Sequence, residues 1–341
     1  MSNNAKHDFE VPDLPPVPSP VKDPPTAQNW LWRHHNDSVN NYISKPDEFE
    51  PYPVPPLTDP VTADNPLKVD LVDSIRSPYS YLVVDRLAYL QSNFNCTVDI
   101  HVIFPVAVNS PGTAGSVHPD HGDNKMGEPE GGFKEGGRWY KWADACVDCE
   151  RQAHYNGIPF AWANPDPVTQ NHYPFLDTNK DYGKVPQLDD QPWISWMVRL
   201  ANAADYHGKS LEFLLYTGPL IWGGQSDFWP ADIPEAIKKT GLDYDELISE
   251  IKANPAKFDG QWQKAQKMAQ ESGHGGVPNM IFNGEPHFGQ DRFGQLFTRL
   301  VQSGLTRRDT PIHPIVPKPR RFPDYDKEVQ YAKEDLAKRS Q

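Results

Sequence analysis

Cysteine is scarce in this 341-residue chain: Cys96, Cys146 and Cys149 are odd in number and too few for a disulfide framework. Positive charge is short as well. Lys and Arg number 33 against 46 Asp and Glu, a formal net charge of −13 and a pI near 5.3. An acidic surface repels phosphate backbones, so nucleic acid is not an expected partner. No stretch reaches the ~18–20 apolar residues of a membrane span. The N-terminal MSNNAKHDFEVPDLPP has no apolar h-region of a secretory signal. These absences lead to the expectation of a cytoplasmic protein with no membrane partner.

What is abundant is aromatic and proline. Ten Trp, 14 Tyr and a hydrophobic content of 37% exclude overall disorder. The 36 prolines are about twice the usual ~5% share. Fourteen of them lie in residues 1–66, in runs such as Pro15-Pro16-Val17-Pro18 and Pro51-Tyr52-Pro53-Val54-Pro55-Pro56. Such runs cannot continue helices or pair within sheets, and they favour extended polyproline conformations. Trp30, Trp32, Phe49 and Tyr52 supply aromatic anchors, so residues 1–66 are expected to form an arm that wraps the domain or a partner subunit. The stretch around Pro311–Pro323 is expected to behave similarly, ahead of a short charged helix at 325–339.

Regular structure begins at Lys68–Asp73, a Val/Leu strand. Pro78–Gln91 follows with Leu82, Leu87 and Leu90 at helical positions, and Pro78 sits in the first turn where proline is tolerated. Thr97–Phe104 is rich in β-branched residues and reads as a second strand. Strand, helix, strand at this spacing is a βαβ unit and implies parallel pairing. Residues 112–137 form a glycine-rich loop. A helix is expected from Trp139 to Tyr155, stopping at Asn156-Gly157. Residues 190–272 are almost wholly helical, with breaks at Gly208, 218–224, Gly241 and Asn254-Pro255; Asp243 and Glu246 have capping-box spacing. Asn279–Asn283 and Glu285–Phe288, separated by Gly284, read as a tight antiparallel hairpin. A closing helix runs from Asp291 to Ser303 with Phe293, Leu296, Phe297 and Leu300 on one face. No internal repeat is apparent.

Two places carry chemistry. Ser77-Pro78-Tyr79-Ser80-Tyr81 stands between the first strand's carboxyl end and a helix start, the usual ligand position of a βαβ unit. The helix N-terminus favours an anion such as a thiolate, and a serine hydroxyl there can donate to sulfur. On local sequence alone, Ser77 is also a plain helix cap. The second place is Gly275-Gly276-Val277-Pro278 before the hairpin, with Phe288-Gly289-Gln290-Asp291-Arg292 after it. Asp291 there also fits a plain N-cap. Cys146-Val147-Asp148-Cys149 is a CxxC pattern, but it lies in the helical insertion and not at the start of the first helix, so it reads as structural or incidental, ahead of a regulatory thiol pair or metal binding. His118, Asp120, His121 and Asp123 sit in the glycine-rich loop and read as solvated. No metal site is expected.

SPYSY after the first strand and GVPNMIFNGEPHFGQDR near the end resemble the DsbA-like thioredoxin superfamily. The resemblance is to the branch of kappa-class glutathione transferases and 2-hydroxychromene-2-carboxylate isomerases. Residues 68–104 and 258–303 carry it; Arg151 and Asn156–Phe160 are similar but less specific. It implies an α/β, thioredoxin-like fold, βαβ…ββα, with a large all-helical insertion and the proline-rich arm. The domain layout that follows is an arm at 1–66, a discontinuous thioredoxin-like domain at 67–104 and 257–305, a helical insertion at 105–256 and a tail at 306–341. The resemblance also implies glutathione as cofactor and a homodimer. Ser77 matches the catalytic serine that hydrogen-bonds the glutathione sulfur. Val277 precedes the expected cis-proline, Pro278, and its backbone is implied to pair with the cysteinyl part. Gln290 and Asp291 match the pair that holds the γ-glutamyl end, Asp291 answering the α-ammonium.

The implied function is a glutathione-dependent enzyme whose thiolate attacks a hydrophobic, aromatic electrophile, as a transferase or as an isomerase or lyase. The tryptophans of the insertion suit a flat substrate, although most of them fit an ordinary core. The alternatives are a thiol–disulfide oxidoreductase, which needs a cysteine at position 77, and a non-catalytic binding protein. The arm, the 112–137 loop and Arg76 depart from the family pattern. Arg76 either adds positive charge beside Ser77 or faces solvent.

Overall fold

Four short strands form one sheet in the order β2-β1-β3-β4. They are β1 (Leu67–Asp73), β2 (Cys96–Val102), β3 (Asn279–Phe282) and β4 (Glu285–Phe288). The computed structural model describes residues 9–17, 59–105, 137–168, 192–272, 274 and 276–339. The glycine-rich segment up to residue 136, with its His118 and His121, lies outside the described residues, as do Trp30, Trp32, Phe49 and Tyr52.

The chain divides into two compact units. The sheet unit comprises Val21–Asp73, Val83–His101 and Lys264–Gln341; the helical unit comprises Met1–Pro20, Ser74–Leu82 and Val102–Gln263.

In the sheet unit, β1 is an inner strand, and Val69, Leu71 and Val72 are fully buried. Along β2 buried and half-buried residues alternate from Cys96 to Val102, the period of a strand with one covered face. The strands β1 and β2 are linked by α1 (Pro78–Asn93) and lie side by side. β3 runs antiparallel to β1 with Leu71 opposite Met280, and β4 folds back on β3 with Phe282 opposite Glu285. The hairpin turn is Asn283-Gly284, not Gly284 alone. Both residues have positive φ, 50° and 81°, which is the mirror-image turn that Asn-Gly favours. Pro286 sits on the edge strand, where a missing N–H does least harm.

The closing helix starts later than the sequence suggests. Gln290–Arg292 is a 3-10 turn and α8 spans Phe293–Gln302, so Asp291 is not its N-cap. Phe293, Leu296, Phe297, Leu300 and Val301 are buried, one apolar stripe of a 3.6-residue period. Residues 303–323 are pinned by backbone hydrogen bonds, Asn95 N to Thr306 O and Arg308 N to Asn93 O among them. Phe322 packs its ring among Tyr89, Phe94 and Phe297. The charged helix α9 (Tyr325–Arg339) follows, tied to α8 by Thr298 and Glu328 at 2.8 Å. A helix-linked strand pair beside an antiparallel hairpin and closing helix is a thioredoxin-like fold.

Six helices separate β2 from β3: α2 (Gly137–Asn156), α3 (Pro192–Tyr206), α4 (Ser210–Trp222), α5 (Trp229–Lys239), α6 (Tyr244–Ala253) and α7 (Pro255–Glu271). The helical unit is packed around Trp196, Trp229, Trp262, Phe213 and Phe258, all fully buried. Asp243 caps α6 by accepting from Glu246 N at 3.0 Å. Gly218 and Pro219 do not break α4; the Tyr81 ring lies against Gly218, where a Cβ would come within 2.9 Å of it. No helix among the described residues is long and apolar enough to cross a membrane.

Candidate functional site

Ser77 opens α1 in the helical unit. Its Oγ accepts a hydrogen bond from Ser80 N at 3.2 Å, and its carbonyl accepts from Ser80 N and Tyr81 N. The capping role is therefore real, but it uses only the acceptor side of the hydroxyl. No described residue takes the Ser77 proton, and the side chain is half-buried. The first turn of α1 holds no acidic residue, so nothing there offsets the partial positive charge of the exposed N–H groups.

The loop that carries Ser77 is fixed on several sides. Trp222 Nε1 donates to Ile75 O at 2.8 Å. Arg76 neither faces solvent nor stands unpaired beside the serine; its guanidinium grips Asp166 with two bonds of 3.1 Å. Both side chains are about one-tenth exposed, so the Arg76 charge is spent on that pair. Tyr81 Oη donates to Pro159 O at 2.8 Å, and Gly223 has no room for a Cβ, which would lie 2.9 Å from Tyr81 Oη. Phe160 and Trp162 are half-buried and pack on Trp222, with ring centroids 6.3 and 6.2 Å from it. They give the helical unit an aromatic wall anchored to the Ser77 loop.

Tyr79 Oη donates to Asp148 at 2.8 Å. Burial, the Cys149 thiol and the Asp148 carboxylate all raise the Tyr79 pKa, so it stays protonated and is no general base. Cys149 is a buried thiol on α2, next to Tyr79. The Cys146 side chain lies outside the described residues. Among the described residues no three His, Cys, Asp or Glu side chains gather as metal ligands.

The other sequence-marked residues belong to the sheet unit. The Val277-Pro278 bond is cis. Pro278 is buried and its carbonyl accepts from Gly289 N at 2.8 Å, which ties the two loops flanking the hairpin together. Val277 is half-buried, and among the described residues its N–H and C=O have no hydrogen-bond partner. An extended peptide pairs with backbone groups of that kind. Gly276 lies close under the Phe288 and His274 rings; a Cβ there would come within 2.5 Å of Phe288, so the ring would have to move. His274 stacks on Phe288 at 3.7 Å between centroids, and burial lowers its pKa.

Gly289 has φ of 99°, and a Cβ there would meet Asp291 Oδ1 at 2.6 Å. Only glycine lets the Asp291 carboxylate fold over this turn. Asp291 is exposed with Arg292 at 3.5 Å. Gln290, in contrast, is 2% exposed, and its Oε1 accepts from Arg86 Nη2 at 2.6 Å. Sequence reasoning missed Arg86. It is buried on α1, lies over the Phe293 ring at 5.4 Å and feels the charges of Asp85 and Asp291. Its signal was a lone arginine among Leu82, Val83, Leu87 and Leu90, all buried. Burial raises the Asp85 carboxyl, against the pull of Arg86.

No protein-family model matches the chain, and no curated protein matches it. Among solved structures it is similar to a 2-hydroxychromene-2-carboxylate isomerase at 20% identity, covering 69% of this chain and 95% of the isomerase, with a TM-score of 0.44. It is also similar to a probable DsbA oxidoreductase from Streptomyces coelicolor at 17% identity, covering 76% of this chain and 100% of the other, with a TM-score of 0.43.

Proposed function

We propose that the protein is a glutathione-dependent enzyme in which Ser77 stabilises the glutathione thiolate for attack on a hydrophobic, aromatic electrophile. The thiolate electron pair forms a C–S bond as a π bond of the attacked carbon opens, its electrons passing onto the substrate, where a proton neutralises them. Release of that adduct makes the protein a transferase; return of the pair to sulfur, with proton transfer on the substrate, makes it an isomerase or lyase. Position 77 holds a hydroxyl, so the reacting sulfur must arrive with the ligand. Of the cysteines whose side chains are described, Cys96 and Cys149 are both buried, and burial pushes the Cys96 thiol up to about 12. That weighs against the thiol–disulfide alternative.

The observation that carries the reading is the half-used Ser77 hydroxyl at an acid-free helix start. A hydrogen bond to a charged group is worth ~1.5–3 kcal/mol, enough to lower a thiol pKa by about one to two pH units. In the sheet unit, the backbone of Val277 is assigned to the cysteinyl residue of glutathione and Asp291 to the α-ammonium. Gln290, held by Arg86, sets the turn that presents Asp291, and the Arg86 charge favours the γ-glutamyl carboxylate. Phe160 and Trp162 are the assigned contacts for the aromatic electrophile.

Calorimetric titration with reduced glutathione, paired with thiolate absorbance across pH, tests this. The parent is expected to bind saturably and to hold the thiol pKa about one to two units below that in Ser77→Ala. No binding at millimolar glutathione, or equal pKa values in the two proteins, would overturn it.

A further inference from the structure

Within the sheet unit, the turn that leads to Val277 is organised by one side chain, His274. Its Nδ1 takes a hydrogen bond from Gly276 N at 3.1 Å. Its carbonyl accepts from Asn279 Nδ2 at 3.1 Å, and the same amide donates to Ser272 Oγ at 3.0 Å. Its ring stacks on Phe288 of β4 with an interplanar angle of 21°. Gly276 passes under both rings, and a Cβ there would come within 2.8 Å of His274 Cε1.

The first of these bonds fixes the ring's proton. A backbone N–H only donates, so Nδ1 has to accept, and the neutral ring carries its hydrogen on Nε2. An imidazolium has N–H groups at both nitrogens and accepts at neither. Protonation of His274 therefore removes the Gly276 bond and sets two N–H groups against each other. Burial lowers the His274 pKa, and no charged group contributes to that shift. The surroundings agree: Phe288 comes from β4, Asn279 from β3 and Ser272 from the end of α7, all uncharged. Glu285 and His287 pair with Phe282 and Met280, so they lie on the other face of the sheet from Asn279 and Phe288. Glu271 and Asp291 are exposed.

We propose that His274 is the positioning residue of this loop, its neutral, Nδ1-accepting form being the one in which Val277 presents its N–H and C=O to the cysteinyl unit of glutathione. This role rests on the assignment of Val277 to glutathione. Gly276 has no side chain to limit its backbone, so without the Nδ1 bond the following Val277 amide is free to turn. The cost of ordering it then falls on binding. The sign of the pH dependence follows. The ordered loop holds the imidazole below the ordinary histidine value of ~6.5, so affinity is full above that pH and falls as the pH drops below it.

S-methylglutathione is the probe, because it keeps the cysteinyl backbone and has no thiol to titrate. Calorimetry of the full chain from about pH 7.5 to about pH 5 should show its Kd rising at least about fivefold, the low end for two coupled equilibria. His274→Asn places an oxygen on Cγ, where the imidazole carries Nδ1, and that oxygen accepts at either pH. This variant is expected to bind within about twofold of the parent at about pH 7.5 and to lose the acid slope. His274→Ala should bind about tenfold more weakly at both pH values. Thermal melts check that both variants fold. A second measurement reads the parent's ring directly and without ligand: its 15N spectrum should show an unprotonated Nδ1 and a protonated Nε2. An Nδ1–H ring, or an acid slope in His274→Asn equal to that of a parent that binds, would overturn the role of His274 alone. A parent that binds neither glutathione nor S-methylglutathione would overturn the assignment of Val277 and this role with it.

Discussion

Among the described residues each unit buries one arginine inside a helix, and the two are handled differently. Arg199 in the helical unit is fully buried, and a carboxylate meets it with two bonds of 2.7 and 2.9 Å. Arg86 in the sheet unit is nearly as buried, yet its 2.6 Å bond goes to the neutral Gln290 amide, and the Asp85 carboxylate stands 3.9 Å from its Nε. A bidentate buried pair cancels its own charge and serves packing. Arg86 instead gives its short bond to an amide, and it feels the charge of Asp291 in a loop the sequence marks for ligand binding. Burial by itself therefore does not say what a buried arginine's charge acts on; its neighbours do.

The comparison breaks most forcefully at Asp259. Asp259→Ala leaves the Arg199 charge buried without its carboxylate, at a cost of ~3–5 kcal/mol. With ~2–4 °C per kcal/mol for a protein of this size, Tm falls by on the order of 10 °C in scanning calorimetry. A loss below about 2 °C would show that Arg199 is not a structural pair.

The sheet unit has its own liability in His287. It is 5% exposed, and burial first and Arg299 second push its pKa down to about 4. The unfolded chain, with a histidine near 6.5, binds the proton more readily. Stability is thus unaffected above about pH 6.5 and lost as pH falls from there toward 4, by up to about 3 kcal/mol. Denaturant melts across that window should show the slope, and His287→Gln should flatten it. An unchanged slope in the variant would assign the acid sensitivity elsewhere.

The parts of the fold that local chemistry decides were legible in the chain. A Val/Leu run gave β1 and β-branched residues gave β2, Pro78 marked the start of α1, Asp243 and Glu246 marked α6, and the 3.6-residue stripe marked α8. The misses fall where a distant partner decides. Asn283 leaves its strand because the turn needs two residues with positive φ. Gly218 stays helical because Tyr81 fills the space beside it. Asp291 is not a cap because a 3-10 turn intervenes, and Arg76 is claimed by Asp166, 90 positions away. Arg86 and Gln290 are 204 positions apart, a separation no local pattern reports. Ser77 was legible as a cap and as a donor at once, and the geometry allows both.

Removing the second arginine has a smaller structural cost and a larger functional one. Arg86→Met leaves the buried Gln290 oxygen without that donor, at ~1–3 kcal/mol. Under the proposed function it also removes the positive charge near the γ-glutamyl site, so the glutathione Kd rises about tenfold. Calorimetric titration beside a thermal melt reads both quantities. Unchanged affinity with lowered stability would make Arg86 a packing residue like Arg199.

The smallest effect separates charge from shape. Arg86→Lys keeps a cation on α1 but loses the planar fork that reaches Gln290. If the field of Arg86 is what the ligand uses, glutathione affinity in Arg86→Lys stays within about threefold of the parent, although Tm drops by a few degrees. If the hydrogen bond to Gln290 is what matters, by fixing the turn that presents Asp291, the lysine variant loses as much affinity as Arg86→Met. Asp291→Asn run in parallel provides the reference, because it removes the exposed carboxylate without touching the buried pair. A lysine variant that binds like the parent while Asp291→Asn binds weakly would place the arginine's contribution in its charge and the turn's contribution in its own backbone.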